Sequence, residues 1–477
     1  TPRSSSAASD VYKRQVWSNG VPQNRFNPER NQTIVESQIL KGSCPWLFAW
    51  NGEEYQFVTD VLWTSALGMP LGIMGKEIGY AFPNASVDYM KIPGEMLQPK
   101  DGKYSLQFTS ELWEAIFLDQ ANLIVVDHPD SIDIFVDEKF IPPPFPPLKI
   151  YSISKQQTPL SATDDKGNDL LPNIRQRDGD YISNLTPAMY QGIMEPHDLI
   201  LNLGDLSEAD SVFLFLHGWL FPTDASINVN IAQTPTVNSQ LPSLQVIDRQ
   251  GNWRTVIESF GFPKGKNKTV IVDLSGKFLS DDYRVRIRTS MQIYWDYIFY
   301  TTGSAVTSIK TVLLEAEKAD LHFRGYSELI RKTPYSPHIP DYQNVTTGQK
   351  WRDLTGNYTR FGDVQPLLQA TDNQYVIMNA GDEITLVFDA ENLPELPTGW
   401  RREFLFYNTG WVKDGDLNTA YGQTVEPLPF HEMSSYPYSS AESYPQDEAH
   451  QNYLKTYNTR QITTEAFKRY LIDLVVK

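Results

Sequence analysis

LFAWNGEEYQFV, Leu47 to Val58, sets the character of this chain. An apolar run, Leu47 to Trp50, is followed by Asn51-Gly52 and a second run, Glu53 to Val58. Asn-Gly between such runs predicts a two-residue type I′ hairpin, because both central residues of that turn need positive φ. The same grammar continues outward. Upstream, Val16-Trp17 reads as a strand, Ser18-Asn19-Gly20 as a turn, and Gln32 to Glu36 as a second strand. Downstream, the Gly- and Met-rich Trp63 to Tyr80 reads as a long loop folded on its domain. Tyr104, Leu106 and Phe108 alternate with polar residues, and Trp113 to Leu118, Ala121 to Asp127 and Ile132 to Val136 follow as strands. The prolines of Ile141 to Pro147 lack N–H donors, so IPPPFPP reads as an extended connector or domain edge.

Beyond the connector, strands are expected at Leu199 to Leu203, Val212 to Leu216, Leu244 to Asp248, Trp253 to Ile257, Thr269 to Leu274, Tyr283 to Arg288 and Gln292 to Tyr300. Three more follow at Ile309 to Ala316, Asp320 to Tyr326 and Asp382 to Asp389. After Pro397 the chain turns Tyr/Pro-rich. It ends in TTEAFKRYLIDLVVK, a short amphipathic helix that Thr463 or Thr464 can cap, with Phe467, Leu471 and Leu474 on one face. The expected fold is mostly β: tandem, jelly-roll-like β-sandwich domains with a short C-terminal helix. The expected divisions are 1–15 (a Ser/Ala-rich, non-native extension), 16–36, 37–148, 149–310, 311–395 and 396–477. No equal-period repeat speaks for a complete propeller within the chain.

A chain of 477 residues, 40% hydrophobic and 12% aromatic, is long enough for several cores. Lys and Arg number 41 against 58 Asp and Glu, a net charge of −17. That balance argues against nucleic acid, whose binding needs clustered cations, and against insertion in or attraction to an anionic membrane. It suits a soluble secreted protein and favours Ca²⁺. The single Cys44 excludes an internal disulfide and a cysteine-rich zinc site, and reads as a small buried residue.

Trp17, Gly20, Asn31, Gln32, Thr33 and Glu36 match the closing end of an ASPIC/UnbV domain, with Ser18 where proline is usual, so 16–36 resembles that end. Five further segments resemble a large C-terminal extension carried by some bacterial FG-GAP/ASPIC-UnbV proteins. They are CPWLFAWNGEEYQFVTD from Cys44, YMKIPGEMLQPKDGKYSLQ from Tyr89, VVDHPDSIDIFVDEKF from Val125, IYWDYI from Ile293 and PLPFHEMSSYPY from Pro427. The resemblance implies an upstream β-propeller in the same full-length protein and a secreted or cell-surface, bacterial extracytoplasmic location. It transfers no catalytic residue.

The motifs that carry chemistry each have a plainer reading. VFLFLHGW, Val212 to Trp219, suggests the oxyanion strand of an α/β-hydrolase, but no Gly-x-Ser-x-Gly elbow accompanies it, so His217 reads as a structural core-edge histidine. HEMSS at His431 lacks the second histidine of HExxH. Asp414, Asp416 and Asn418 alternate in a Gly-containing loop, either as turn chemistry or as Ca²⁺ ligands. Asp164, Asp165, Asn168 and Asp169 offer the same pair of readings. Tyr294, Trp295 and Asp296 read as core packing or as a ligand-binding surface on which a sugar stacks. Glu111 and Glu114 flank Trp113, a pairing that cannot be assigned to glycosidase chemistry without geometry. No catalytic residue is assigned. The leading expectation is a non-enzymatic extracellular binding or adhesion-type module with a glycan or cell-surface protein as partner. The alternatives are a carbohydrate-binding module and a glycan-active enzyme of unrecognised class.

Overall fold

The computed structural model describes residues 12–16, 22–26, 44–74, 77–237, 239–303 and 309–469. Antiparallel strands dominate them, and the fold is a mostly β, multi-sheet one with a few short helices. Two sheets face each other over the largest core. One has six strands, in the order Gly362–Asp363, Lys318–Phe323, Asp382–Asp389, Lys103–Thr109, Trp46–Trp50 and Tyr55–Asp60. The other orders Lys310–Glu315, Glu114–Pro129, Trp400–Asp414 and Ser86–Ile92, with Val376–Asn379 also paired to Glu114–Pro129. Their inner faces meet through Tyr104 against Phe404, ring centroids 4.8 Å apart, and Phe108 against Phe406.

Segments 37–148, 311–395 and 396–477 therefore contribute strands to the same two sheets. The region after Pro397, expected as a tail, opens with the fifteen-residue strand Trp400–Asp414, which pairs along Glu114–Pro129 on one side and Ser86–Ile92 on the other. Arg401, Arg402 and Glu403 disguise it. Arg402 Nε lies 2.7 Å from Asp127 Oδ1, and Glu403 is reached by Lys91 Nζ at 3.0 Å and His128 Nε2 at 3.2 Å. Trp113 to Asp127, expected as two strands, is one strand from Glu114 to Pro129.

Between these strands in sequence lies a second sandwich. Its five-stranded sheet orders Ser161–Thr163, Ile193–Asn202, Arg284–Met291, Ser243–Ile247 and Trp253–Ile257. Its three-stranded sheet orders Lys268–Asp273, Phe213–Leu220 and Ile293–Thr301. Leu199, Leu201, Val246 and Ile287 of one face Leu214, Leu216, Val270 and Trp295 of the other. Each strand expected in this region is present.

The hairpin of Leu47 to Val58 forms, with Trp50 opposite Tyr55, but four residues turn it. Asn51 Oδ1 accepts the N–H groups of Glu53 and Glu54 at 2.9 and 2.8 Å, so Asn51 closes an Asx turn and only Gly52 takes positive φ. Tyr12–Val16 pairs with Pro22–Phe26, so strand structure begins earlier than Val16. Pro70–Met74 pairs with Glu77–Tyr80 inside the stretch read as loop. Helix covers 465–469 near the C-terminus, Thr463 Oγ1 accepting the Glu465 N–H. The strand expected at Gln32 to Glu36, and Leu471 and Leu474, lie outside the described residues.

The two sandwiches meet across buried charge. Lys264, Lys266 and Lys268 alternate along one segment. Lys264 Nζ is 2.6 Å from Asp88 Oδ1, Lys266 Nζ 3.3 Å from Asp60 Oδ2, and Lys268 Nζ 2.9 Å from Asp60 Oδ1. Lys268 also donates to the Asp60 carbonyl, 2.8 Å away, and to Thr59 Oγ1. Gly265 has φ +91°, and a Cβ there would sit 2.2 Å from Trp63 Nε1 and 2.3 Å from Asp60 Oδ2. Burial alone would raise the Asp60 carboxyl, but the ammonium groups of Lys268 and Lys266 hold it down at about 2.

Lys268→Met should cost about 3 kcal/mol or more in equilibrium unfolding, because it strips one cation from a buried pair. Gly265→Ala should also lower the midpoint, by strain and clash. The Asp60 carboxyl titrates lower in the folded chain than in the unfolded one. Its contribution of about 2 kcal/mol is present above pH 4 and disappears as pH falls from about 4 to about 2. Urea titrations across that range should show this loss in the wild type and not in Asp60→Asn.

Candidate functional site

A cavity of about 310 Å³ opens at one end of the second sandwich. Its floor comes from both sheets: Leu199 and Ile287 from one, Ile293 and Trp295 from the other. Its rim comes from the loops carrying Asp164 to Lys166 and Asn184 to Thr186, and from Glu195 to Asp198. Pro196 explains the opening. It lies inside the strand Ile193–Asn202 yet has no N–H for the ladder, and pairing with Arg284–Met291 shifts register between Ile193 and His197. The bulge leaves Glu195 and Pro196 exposed at the mouth.

The loops of the rim are tied down. Asp164 Oδ1 accepts the N–H groups of Lys166 and Asn168 at 2.9 and 2.8 Å, and Oδ2 accepts Asn168 Nδ2 and Asn184 Nδ2 at 2.6 and 2.7 Å. Ile182 N–H donates to the Trp295 carbonyl at 2.8 Å. Asp198 receives both contacts of Arg288 Nη1, at 3.0 and 3.1 Å. His197 Nδ1 lies 3.0 Å from the Glu195 carbonyl, and burial pushes the ring below the usual histidine range, so it is neutral at pH 7. Such a site can hydrogen-bond hydroxyls at its rim while C–H groups meet the apolar floor that Leu199, Ile287, Ile293 and Trp295 share.

Tyr294, Trp295 and Asp296 do not form a surface strip, because all three are buried. Tyr294 stacks on Trp219 at 4.9 Å, and Asp296 Oδ1 accepts the Gly179 N–H at 2.8 Å. Only Trp295 reaches the cavity. Asp164, read from sequence as turn or Ca²⁺ chemistry, is the knot of the rim. Glu195, His197 and Thr186 escaped the sequence reading. The signal that could have found them is the proline in an otherwise strand-like MEPHDLI.

The loop of Asp414, Asp416 and Asn418 follows turn chemistry. Asp414 Oδ1 accepts the Asp416 N–H at 3.1 Å, Asp416 Oδ1 accepts the Asn418 N–H at 2.9 Å, and Ser226 Oγ reaches both Asp416 oxygens at 2.8 Å. Asn418 Nδ2 donates to Ser226 Oγ at 3.0 Å. The loop thus fastens the short helix Ala225–Ala232 of the second sandwich to the first. Among the described residues no three His, Cys, Asp or Glu side chains stand where they could hold a metal ion. Burial and the neighbouring Asp416 push the Asp414 carboxyl up to about 6.

The remaining chemistry-bearing groups are engaged elsewhere. His217 is buried, its Nδ1 3.1 Å from Thr269 Oγ1, and burial pushes it well below the usual range. Burial raises the Cys44 thiol well above its ordinary value, so it stays protonated. His431 Nε2 sits 2.5 Å from Asp119 Oδ2. Glu111 accepts from Arg324 Nη1 at 2.9 Å and from Ser327, deep in the first sandwich. A larger groove, about 460 Å³, runs beside Gly94 and Trp400, but its arginines are spent on Asp127 and Asp133. No described helix is long and apolar enough to cross a membrane. No protein-family model, curated protein or solved structure matches the chain.

Asp414→Asn should stabilise the fold at pH 7 and leave it nearly unchanged near pH 4. The folded carboxyl titrates higher than the unfolded one, so the wild type is favoured below pH 4 and penalised as pH rises through about 6. Thermal melts of both proteins between pH 4 and 8 check this: the gap should widen with pH.

Proposed function

We propose that this chain is a non-enzymatic binding module of adhesion type, and that the cavity of the second sandwich takes a saccharide of one or two rings. The carrying observation is the cavity's division into an apolar floor, with Trp295, and a rim of Asn184, Thr186, Glu195 and His197. A sugar ring has the same division, with C–H faces and hydroxyl edges. A volume of about 310 Å³ lies at the small end of ligand pockets. Binding is favoured over catalysis because the buried carboxylates Glu111, Glu383 and Asp382 are each held by an arginine, Arg324 or Arg460. The resemblance of 16–36 to the end of an ASPIC/UnbV domain supports an extracytoplasmic place beside a propeller.

Saccharide titration calorimetry should give saturable heat with the wild type. Thr186→Trp, at an exposed rim position whose backbone carbonyl alone pairs with the Glu195 N–H, should weaken binding about tenfold or more with an unchanged melting temperature. Binding that survives this filling places the ligand elsewhere, and no binding across a broad glycan panel overturns the reading.

A further inference from the structure

The charges around the cavity fall into two groups. Asp164 is saturated by four N–H donors, and Asp198 is neutralised by Arg288, with Arg286 Nη1 a further 3.5 Å away. Neither has charge to spare for a ligand. Asp165 and Glu195 are exposed at the rim, and neither side chain has a hydrogen-bond or ion-pair partner among the described residues. Lys166 is the one ammonium among the lining residues. The His197 ring is uncharged at neutral pH, and its Nε2 has no partner among the described residues. The rim therefore offers two unpaired carboxylates, one ammonium and a neutral imidazole above an apolar floor.

We infer, resting on the saccharide reading of this cavity, that it selects amine-bearing sugars over neutral ones and rejects acidic ones. A protonated amine on a ring that enters the cavity meets the Asp165 and Glu195 carboxylates at the rim. A uronic acid in the same place meets two like charges with only Lys166 to answer them. Both carboxylates are exposed, so the selectivity is that of surface ion pairs: about three- to fivefold per step, and weaker as salt rises.

The test titrates the whole chain with methyl glycosides of glucosamine, glucose and glucuronic acid, and the galacto counterparts, near pH 7 at low salt. An amine of this kind is then largely protonated, like an α-amino group of pKa about 7.7–8.0. The expected affinity order is amine, then neutral, then acid, compressed by 0.5 M salt. In Glu195→Gln/Asp165→Asn the ratio of amine to neutral affinity should fall to about one, whatever the absolute affinities become. Equal binding of amine and neutral sugars by the wild type, or an order that survives in the double variant, overturns the charge selectivity and leaves the saccharide cavity standing. No binding of any glycoside overturns both.

Discussion

Asp60 is the point on which the arrangement of the two sandwiches turns. It ends the strand Tyr55–Asp60 at the edge of the six-stranded sheet, wholly buried, and takes Lys266 and Lys268 from the segment that enters the second sandwich. The segment that carries Lys264, Lys266 and Lys268 is bent, with Gly265 and Asn267 at positive φ, and the bend brings all three ammonium groups to Asp88 and Asp60. Displacing that bend would withdraw the ammonium groups and leave Asp60 and Asp88 charged in the interior, at a cost of several kcal/mol. The pairing adds little net stability over an apolar contact, but it makes every other registry of the two bodies expensive. Glu138 extends the constraint by accepting the Thr269 N–H at 2.9 Å and the Lys91 N–H at 3.2 Å, one from each sandwich.

The same constraint orders the topology. The second sandwich contains all its own strand partners within 161–301, whereas Glu114–Pro129 finds its partners at Lys310–Glu315, Val376–Asn379 and Trp400–Asp414. The first sandwich therefore closes only when chain from both sides of the second is in place, and its contacts are long in sequence. The Asp60 network lies where the chain between these halves passes, so the loop that the second sandwich forms is clamped at its base. Ser226 against Asp416 and the Trp219 indole N–H on the Tyr335 carbonyl fasten it at two more points.

Strands were legible in the sequence wherever one face alternates or turn residues bracket an apolar run. Phe213–Leu220, Lys268–Asp273 and Ile293–Thr301 announce themselves in this way. Trp400–Asp414 did not, because its first half reads as WRRE. Those charges belong in a strand only because Asp127, His128 and Lys91 receive them, and these partners stand hundreds of residues earlier. The lysines at 264, 266 and 268 carry no local sign of their burial for the same reason. A single sequence carries the period of a strand locally, but the partner of a buried charge is a fact of the tertiary fold. Asp414, Asp416 and Asn418 show the converse. Alternate oxygens in a loop serve a metal or the loop's own N–H groups equally well on paper; here Asp414 and Asp416 accept bonds from the backbone, Thr419 and Ser226.

The cavity was the least legible feature, and its cause is a single missing donor. An interior strand with an unbroken ladder would carry Glu195 to Asp198 flush along Arg284–Met291 and close the end of the sandwich. Pro196 removes one N–H, and the strand answers with a bulge. The energy lost from the ladder is recovered in part by the loops over the gap, where one buried carboxylate, Asp164, gathers four N–H donors. That is a stronger cluster than neutral turn residues could make, because an ionised acceptor strengthens each bond. The rim is thus held in place before anything enters it. A ligand entering such a pre-formed rim would give up little entropy in ordering protein groups.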